Sequence, residues 1–583
     1  MLLLVTYRAG YRPRWIEKSY VTQIALPKLS DRESRQVVEA LLRRATLTEG
    51  LVEVVLRKAE GNPLFLEELT RSLLENPDVS VPDTIQGVLL SRIDRLPEVH
   101  KKLLQTASVL GREFELSLLL AIWEREASPG PVLADLKRWE FLREEPMSEE
   151  PRYFFRHTLT QEAVYQTLLV SRRQALHAVA GRAFERLFEN RLEEVYDHLA
   201  YHWSKAEEPG KAVFYLVRLA ERAAAGYAHA EAVKALRQAL EHAGKLPEEE
   251  RDRRAAELIL DLAASLLPLA QLAETLELLD EHREGIERLG DPVLSGRLHF
   301  WLAHTHSYLG NQDEAARNAC LAIEEARRGA DAGTEGKAHY VLSRDAFWAG
   351  RFSEGIQQGL QAVALLERSE DRWWQGQAYW VVGFHQYLLG RFEQAFEAMA
   401  RAEEIWQALA DPRLDPSWST GYFYASLGEW EAGIEACRGG LARAQDPLNT
   451  AAAMGFLGYA WLEKGDLPRA IETLEESIRR IEQAGMRQLQ GWFSAFLADA
   501  YLRSSRLSEA TDAARQALEL TRESRFRYGA GLAQRVRGRI ARLQERLKEA
   551  EDHLMEALDG FRSLEVPFEV AQTRLDLALL AHA

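Results

Sequence analysis

At 583 residues the sequence is several times longer than an ordinary domain, so it predicts two or more units or a repeat array. Its 46% hydrophobic residues can form cores, but its longest apolar runs are too short to span a bilayer, so no membrane partner is expected. The 73 basic and 89 acidic side chains give a net charge of −16, which argues against a general surface for nucleic acid or anionic lipid.

The first predicted element is the apolar run LLLVTYR, residues 2–8. A continuous apolar run of this length is typical of a fully buried parallel strand, and ligands bind at the carboxyl ends of such strands. Next, LSDRESRQVVEALLRR predicts a helix capped by Ser30 or Asp31, with one apolar face.

Gly61-Asn62-Pro63 interrupts two helical stretches in VVLRKAEGNPLFLEELTRSLLE. Gly61 permits a left-handed or tight backbone, and Pro63 suits the first turn of the following helix. By residue chemistry alone, this segment is a helix-breaking loop.

The region that follows combines helices with alternating segments. Helices are predicted around Leu103 to Leu110 and over Pro131 to Leu142, and FLREE and RYFFRH form a predicted β-hairpin. Further along, Gly226 to Ala243 and Ala270 to His282 resemble degenerate repeat helices.

The second half contains a repeated turn at intervals of 40, 40, 38, 37, 40 and 40 residues. The turn residues are Gly310, Gly350, Gly390, Gly428, Gly465, Ser505 and Glu545. Seven residues before each turn, and five and twelve after it, the side chains are small. Two antiparallel helices approach closely only where neither side chain is bulky, so each unit is predicted to be a helical hairpin.

Stacked hairpins of this kind form a right-handed α-solenoid with a concave binding surface. The pattern resembles tetratricopeptide repeats in a form of about 40 residues. Aromatic residues concentrate between Trp373 and Trp430, where they are either hairpin core or a ligand-binding inner face. Individual contact residues on the concave face of residues 293–583 are not predictable from the sequence.

No metal site or catalytic residue is expected. His198 and His202 are four residues apart, but DHLAYHW lacks a glutamate directly after the first histidine, which favours a packing or capping role. Cys320 and Cys437 are too few for a disulfide framework, and no signal peptide is recognised, so a cytoplasmic protein is expected.

The order LLLVTYR, GNPLFLEEL, VPDTIQGVLLSRIDRLP, KKLLQTASVLGREF and YFFRHTLTQEAVYQTLL resembles the signal-transduction ATPases with numerous domains (STAND), particularly bacterial multidomain regulators. The resemblance implies a mainly α chain with five parts. They are a C-terminal strand remnant of an AAA-like ATPase core (1–28), a helical lid (29–95), a winged helix (96–175), degenerate helical repeats (176–292) and a tetratricopeptide-like solenoid (293–583).

The same resemblance implies nucleotide contacts. Arg8 would read the γ-phosphate, Pro63 after Gly61 would pack on adenine, and His157 would hold the ADP β-phosphate. As a lone residue, His157 is equally compatible with a structural role.

The sequence departs from the family because no G-x-x-x-x-G-K-[ST] phosphate loop occurs. We therefore expect a fragment, or a truncated form, that is not itself an enzyme and needs no cofactor, whereas the intact parent uses ATP or ADP with Mg²⁺. In that parent the repeats would bind a protein or small-molecule inducer and control a nucleotide-dependent switch that acts on an upstream effector domain. The alternatives are a nucleotide-independent repeat scaffold and a winged-helix DNA-binding regulator, although the scattered Lys and Arg make nucleic acid a less favoured partner.

Overall fold

The computed structural model describes residues 4–7, 21–42, 47–75, 82–123, 128–145, 151–409, 417–444 and 446–582. The chain divides into two compact units. The first comprises residues 1–192 and 205–207, and the second comprises residues 193–204 and 208–583. Nowhere in these ranges is a helix both long and apolar enough to cross a membrane.

The first unit contains nine helices and a small sheet within the described residues. The helices are α1 Asp31–Leu42, α2 Glu49–Ala59, α3 Pro63–Glu75, α4 Ile85–Asp94, α5 Glu98–Leu110, α6 Leu116–Ile122, α7 Gly130–Arg138, α8 Thr158–Gln166 and α9 Val170–Leu187. The strands are β1 Glu113–Glu115, β2 Leu142–Glu145 and β3 Arg152–Phe155. Helix α9 runs through the boundary predicted at residue 175, and the unit continues to residue 192.

Helices α1 to α4 pack around their own apolar core. Val38, Val55, Leu66 and Val88, one from each helix, are fully buried in it. The side chain of Thr84 caps α4 by accepting a hydrogen bond from the Gly87 amide at 3.1 Å. The predicted break between α2 and α3 is present, and α3 begins at Pro63 as the sequence indicates.

The predicted β-hairpin is also present. Strands β2 and β3 pair antiparallel, with Glu144 opposite Tyr153, and β1 pairs with the other side of β3 to give the order β1-β3-β2. Three helices, α5, α6 and α7, precede the hairpin, and β1 lies between α5 and α6.

The strand predicted for residues 2–8 is wrong where the structure describes it. Residues 4–7 and 21–28 have no regular secondary structure, and Leu4 and Leu26 are 85% and 90% exposed. A strand needs a neighbouring strand for its main-chain hydrogen bonds, and the sheet found in the described residues contains only β1, β2 and β3. Arg8 lies outside the described residues.

The second unit is a helical solenoid. Its helices are α10 Tyr196–Ala206, α11 Pro209–Ala225, α12 His229–Ala243, α13 Glu248–Leu266, α14 Leu272–Arg288, α15 Pro292–Leu309, α16 Gln312–Arg328, α17 Ala332–Ala349, α18 Phe352–Arg368, α19 Arg372–Leu388, α20 Phe392–Ala408, α21 Ser417–Ser426, α22 Trp430–Arg443, α23 Pro447–Lys464, α24 Leu467–Gln483, α25 Arg487–Arg503, α26 Leu507–Glu523, α27 Arg527–Leu543, α28 Leu547–Ser563 and α29 Pro567–Ala581. Two 3₁₀ turns, Leu192–Val195 and Leu267–Leu269, complete the regular structure described. The predicted mainly α fold built from tetratricopeptide-like hairpins is confirmed.

The predicted small residues lie where the paired helices cross. In the hairpin of α21 and α22, a Cβ on Gly421 would stand 2.7 Å from the Gly433 carbonyl oxygen, and a Cβ on Gly433 would stand 2.8 Å from the Gly421 oxygen. In the hairpin of α17 and α18, the Ser343 hydroxyl donates to the Gly355 carbonyl at 2.7 Å. Larger side chains at these positions would force the helices apart.

Repeats that are far apart in the sequence also meet. Gln312 donates its amide to the Ser524 carbonyl at 3.1 Å, and Asp313 pairs with Arg525 at 2.9 Å. Trp348 contacts the ring of Phe526, with ring centroids 5.0 Å apart. The solenoid therefore curves until the turns of α15–α18 reach the repeats after α25, and its inner face is partly enclosed rather than an open groove.

Candidate functional site

The enclosed inner face of the second unit contains a cavity of about 860 Å³, called here the aromatic cavity. The first helices of successive hairpins supply most of its wall, because these helices form the inner layer of the solenoid. Its larger side chains include Trp301, Trp348, Trp374, Trp380, Trp418 and Trp492. Small-molecule sites in proteins have volumes of this size and predominantly apolar and aromatic walls.

Trp374 forms the centre of one wall. Its ring makes edge contacts with Phe300, His304 and Tyr340, with centroids 5.2 to 5.4 Å apart. Trp380, six residues after Trp374 on α19, donates its ring N–H to the Ser419 hydroxyl at 2.8 Å. These contacts fix both indole rings before any ligand enters.

Arg344 is a buried cation in this wall, only 5% exposed. Its guanidinium lies 3.8 Å from the centroid of the Tyr308 ring. It donates to the Ser307 hydroxyl at 3.3 Å and to the His304 carbonyl at 3.2 Å. All three partners are neutral, and within the described parts of the chain no carboxylate forms an ion pair with Arg344.

The neighbouring titratable groups form no ion pair with Arg344 in the described part of the chain. Burial and the charge of Arg344 lower the pKa of His304, so this imidazole is neutral at physiological pH. Asp345 follows Arg344 in the chain, and its carboxylate lies 3.6 Å from Arg351. Burial raises the pKa of Asp345 to about 6, and the charges of Arg351 and then Arg344 oppose this without an ion pair to Arg344.

Asp446 is a carboxylate that does line the cavity. Its two oxygens accept hydrogen bonds from the backbone amide and the side-chain amide of Asn449, at 2.8 and 2.7 Å. The carboxylate thereby caps the first turn of α23, so its charge is committed to the helix N-terminus.

The predicted concentration of aromatic residues divides into two groups. Trp373, Trp374, Trp380, Phe384 and Trp418 line the aromatic cavity, which agrees with a ligand-binding inner face. Tyr387 and Phe423 stack at 4.0 Å within the hydrophobic core, and Trp430 is 40% exposed. The hairpin-core interpretation is therefore confirmed for part of the set, and the ligand-binding interpretation stays a prediction for the residues that line the cavity.

Sequence reasoning missed Arg344, although the repeat register contains a signal for it. The residue six positions before each turn lies on the inner face of its repeat. These residues are His304, Arg344, Phe384, Tyr422, Tyr459, Asp499 and Arg539. A charged residue in this column is a candidate for an inner-face contact, and only the structure shows which of these charges is compensated.

Two of the residues predicted to contact nucleotide lie at the start of α3. Gly61 has a left-handed backbone, with φ of +73°, and its carbonyl accepts a hydrogen bond from the Leu29 amide at 2.9 Å. A Cβ at Gly61 would stand 2.3 Å from the Leu29 oxygen, so glycine is required there. Pro63 is the first residue of α3.

His157 lies at the N-cap of α8, beside the first turns of α3. Its Nε2 atom is 3.7 Å from Glu67 and 4.0 Å from Glu68, and it is buried without a hydrogen-bond partner. Burial lowers the pKa of His157, and the two carboxylates only partly oppose this. The structure therefore brings His157 close to the helix that begins at Pro63.

Further ion pairs surround His157. Glu67 pairs with Arg71 and with Arg156, each at 2.8 Å, and Glu68 pairs with Arg92 at 2.5 Å. Glu140 also pairs with Arg71 and Arg156. The charges of the three carboxylates and the three guanidiniums cancel, and the groups closest to His157 are acidic. These residues therefore do not by themselves form a binding site for a phosphate.

Comparisons with known proteins give partial matches. Residues 30–84, which include α1 to α3, match the domain of unknown function DUF8739. An uncharacterized protein of Rhizobium meliloti strain 1021, R02095, is 27% identical over 266 residues. That alignment covers 42% of this chain and 26% of the relative, so the chain matches about a quarter of the relative's length.

Solved structures with a similar arrangement of helices include a STAND protein with a tetratricopeptide repeat sensor, PH0952 from Pyrococcus horikoshii. The TM-score is 0.48 at 13% identity, with 94% of this chain and 75% of that chain covered. A Rap protein complexed with Competence and Sporulation Factor gives a TM-score of 0.45 at 13% identity, with coverage of 61% and 99%.

Proposed function

We propose that the solenoid is the sensor of a signalling protein and that its ligand binds in the aromatic cavity. The observation that carries this proposal is a cavity of about 860 Å³ with rigidly held indole rings and the buried guanidinium of Arg344, which forms no ion pair with the described residues. A core that served only for packing would fill such a space and would avoid an uncompensated charge.

The proposal extends to the first unit, where residues 29–95, with α1–α4, would be the lid and residues 96–175 the winged helix of a STAND ATPase. The order α5, β1, α6, α7, β2, β3 and the sheet order β1-β3-β2 support this assignment. In the intact parent, Arg8, Gly61, Pro63 and His157 would contact ATP or ADP with Mg²⁺, and the inducer would shift the nucleotide-dependent switch.

For this chain alone we propose neither nucleotide binding nor catalysis. A phosphate loop normally supplies several charge-assisted hydrogen bonds of about 1.5–3 kcal/mol each, and the balanced ion pairs around His157 do not replace them. Isothermal titration of the purified chain with MgADP and MgATP should show no binding. Low-micromolar binding would contradict this part of the proposal.

The sensor function can be tested with N-phenyl-1-naphthylamine, a neutral fluorescent probe that fits an aromatic cavity. One probe should bind per chain, and energy transfer from the indoles of the cavity wall should excite it. Trp374→Leu removes the central ring of the wall and should weaken binding about tenfold, as expected for the loss of an aromatic anchor.

Trp430→Leu provides the matched control, because Trp430 belongs to the same repeat array but is exposed and lies away from the cavity. It should leave the affinity unchanged. Several weak probe sites, or equal effects of the two substitutions, would show that the cavity is not a ligand site.

A further inference from the structure

We propose that the ligand of the aromatic cavity is an organic anion, a flat unsaturated or aromatic molecule whose single acidic head binds the guanidinium of Arg344. This inference rests on the proposed function, because it names the chemical class of the ligand that the sensor takes.

The first argument is the electrostatics of Arg344. Removing a guanidinium from water is unfavourable unless an opposite charge and hydrogen bonds compensate it. Arg344 has the hydrogen bonds, to Ser307 and His304, and a cation–π contact with Tyr308, but no carboxylate among the described residues forms an ion pair with it. An arginine offers five N–H donors, so a carboxylate, sulfonate or phosphate can still be accommodated.

The second argument is a comparison with Arg539, which occupies the same repeat position six residues before the turn. Arg539 pairs with Asp499 at 3.1 Å and with Asp576 at 2.9 Å. The solenoid therefore can supply carboxylates to an inner-face arginine. At Arg344 it supplies neutral groups instead, and a cavity lies beside the guanidinium.

The third argument concerns the remainder of the ligand. The ring of Trp374 and the neighbouring indole of Trp380 are held by contacts within the protein, so they present fixed surfaces to a flat apolar body. A cationic ligand is disfavoured, because Arg344 would repel it and the carboxylate of Asp446 is occupied by Asn449. His304 does not add a second positive charge at physiological pH.

Two fluorescent probes that differ only in the acidic head provide the test. 8-Anilinonaphthalene-1-sulfonate has the ring system of N-phenyl-1-naphthylamine together with one sulfonate. On the unmodified chain the anion should bind about tenfold tighter than the neutral probe, the gain expected from one charge-assisted hydrogen bond. One molecule should bind per chain in each case.

Arg344→Met keeps the length and apolar stem of the side chain and removes the charge. It should abolish the preference for the anion. The affinity for the neutral probe should change by no more than about twofold, because this probe makes no ion contact with Arg344. Arg344→Lys should retain most of the preference. Arg401→Met, on the outer helix α20 with its side chain 58% exposed, is the matched control and should behave as the unmodified chain.

Competition on the unmodified chain keeps the test independent of how the variants fold. Naphthalene-1-acetate and 1-naphthyl phosphate should displace the anionic probe more effectively than the neutral naphthalene-1-acetamide, and their ranking identifies the preferred head group. Equal displacement by the acid and the amide would overturn the proposal, even if Arg344→Met failed to fold.

The outcomes separate the two proposals. Equal affinity for both probes on the unmodified chain, or a preference that survives Arg344→Met, would overturn the anionic ligand and leave the sensor function intact. If neither probe binds at one site per chain, both proposals fail.

Discussion

Arg344 and Arg539 occupy the same position in two repeats of one solenoid, yet they have opposite surroundings. Arg539 lies among α25, α27 and α29, where Asp499 and Asp576 neutralise it. Arg344 lies on α17 beside the aromatic cavity, where its partners are a hydroxyl, a carbonyl and an aromatic ring. In the distal repeats, α25 to α29, an inner-face arginine thus holds helices together through ion pairs. In the central repeats, α15 to α20, the inner-face arginine is left available to the proposed ligand.

Exchanging each arginine for methionine should give the largest difference between the two regions. Arg539→Met leaves the Asp576 carboxylate, which is 7% exposed, without its ion-pair partner, so the distal repeats should lose about 3–5 kcal/mol. Asp499 keeps its ion pair with Arg503. Arg344→Met leaves behind no ion-pair partner among the described residues. Because a cation is no longer buried, much of the loss of its hydrogen bonds is offset, and the substitution should cost at most about 1 kcal/mol. Native-state hydrogen exchange of peptides from α27 and α17 measures both effects.

Equal losses for the two substitutions would show that Arg344 is a structural ion like Arg539. A loss confined to Arg344→Met would indicate that an unrecognised negative group already compensates it.

Acid should affect the two regions over different pH ranges. Burial by itself would raise the pKa of Asp499, but the charges of Arg539 and Arg503 outweigh it and lower that pKa. A depressed carboxyl pKa contributes stability above the unfolded value of about 3.9, and this stability is lost as the pH falls below it. The free energy of opening that protects the amides of α25 and α27 from hydrogen exchange should therefore fall below about pH 4.

Between pH 7 and pH 5 the central repeats should lose protection, because burial lowers the pKa of His304, His339 and His385. The unfolded chain binds protons at these imidazoles more tightly than the folded protein does, so stability falls as the pH drops below the unfolded value of about 6.5. Asp345 opposes this loss in part, because burial raises its pKa to about 6. In the distal repeats burial lowers the pKa of His553 alone among the described histidines, so α27 should lose less protection than α17. An equal loss of protection in α17 and α27 over this pH range would show that the two regions do not differ in this respect.

Asp345→Asn tests the central region directly. The folded protein binds the Asp345 proton more tightly than the unfolded chain, so stability falls as the pH rises from about 4 to about 6, and the cost is complete above pH 6. The substitution should stabilise α17 by about 1–3 kcal/mol at pH 7.5 and by almost nothing at pH 4.

Glu354→Gln is the control for this substitution, because Glu354 also pairs with Arg351 but its side chain is 48% exposed. It should change the free energy of local unfolding by less than about 0.5 kcal/mol at either pH, as exposed ion pairs do. An equal gain from both variants would place the effect on Arg351 rather than on the buried carboxyl.

The sequence predicts the hairpins because their determinants are local. Small side chains recur where helices cross, as at Gly421 and Gly433, and each is read from the chain without knowledge of distant repeats. The break before Pro63 and the β2–β3 hairpin are predictable for the same reason. The strand prediction is wrong over residues 4–7, because an apolar run indicates burial but does not identify the neighbours that would bury it.

The aromatic cavity depends on contacts that the sequence pattern does not encode locally. Gln312 meets Ser524, and Trp348 meets Phe526, only because small rotations between repeats accumulate until the solenoid closes on itself. The same closure of the solenoid determines which inner-face arginine lies within ion-pair distance of a carboxylate. The register identifies Arg344 and Arg539 as equivalent positions, but their different compensation is a property of the three-dimensional fold.

The turns also differ between the two regions, and this gives the smallest predicted effect. The central turn at Gly350 has a φ of +76°, which glycine adopts without strain, whereas the distal turn at Glu545 reaches a φ of +59° with a side chain present. Glu545→Gly should therefore stabilise the distal repeats, because relief of the left-handed conformation contributes about 1–2 kcal/mol. The flexibility of glycine in the unfolded chain offsets part of this gain, so the net stabilisation should be about 0.5–1 kcal/mol. Glu545→Ala removes the same carboxylate but keeps a Cβ, so it should give no gain in hydrogen-exchange protection of α27 and α28. A gain of the same size from alanine would mean that the charge of Glu545, and not its backbone conformation, limits the stability of this turn.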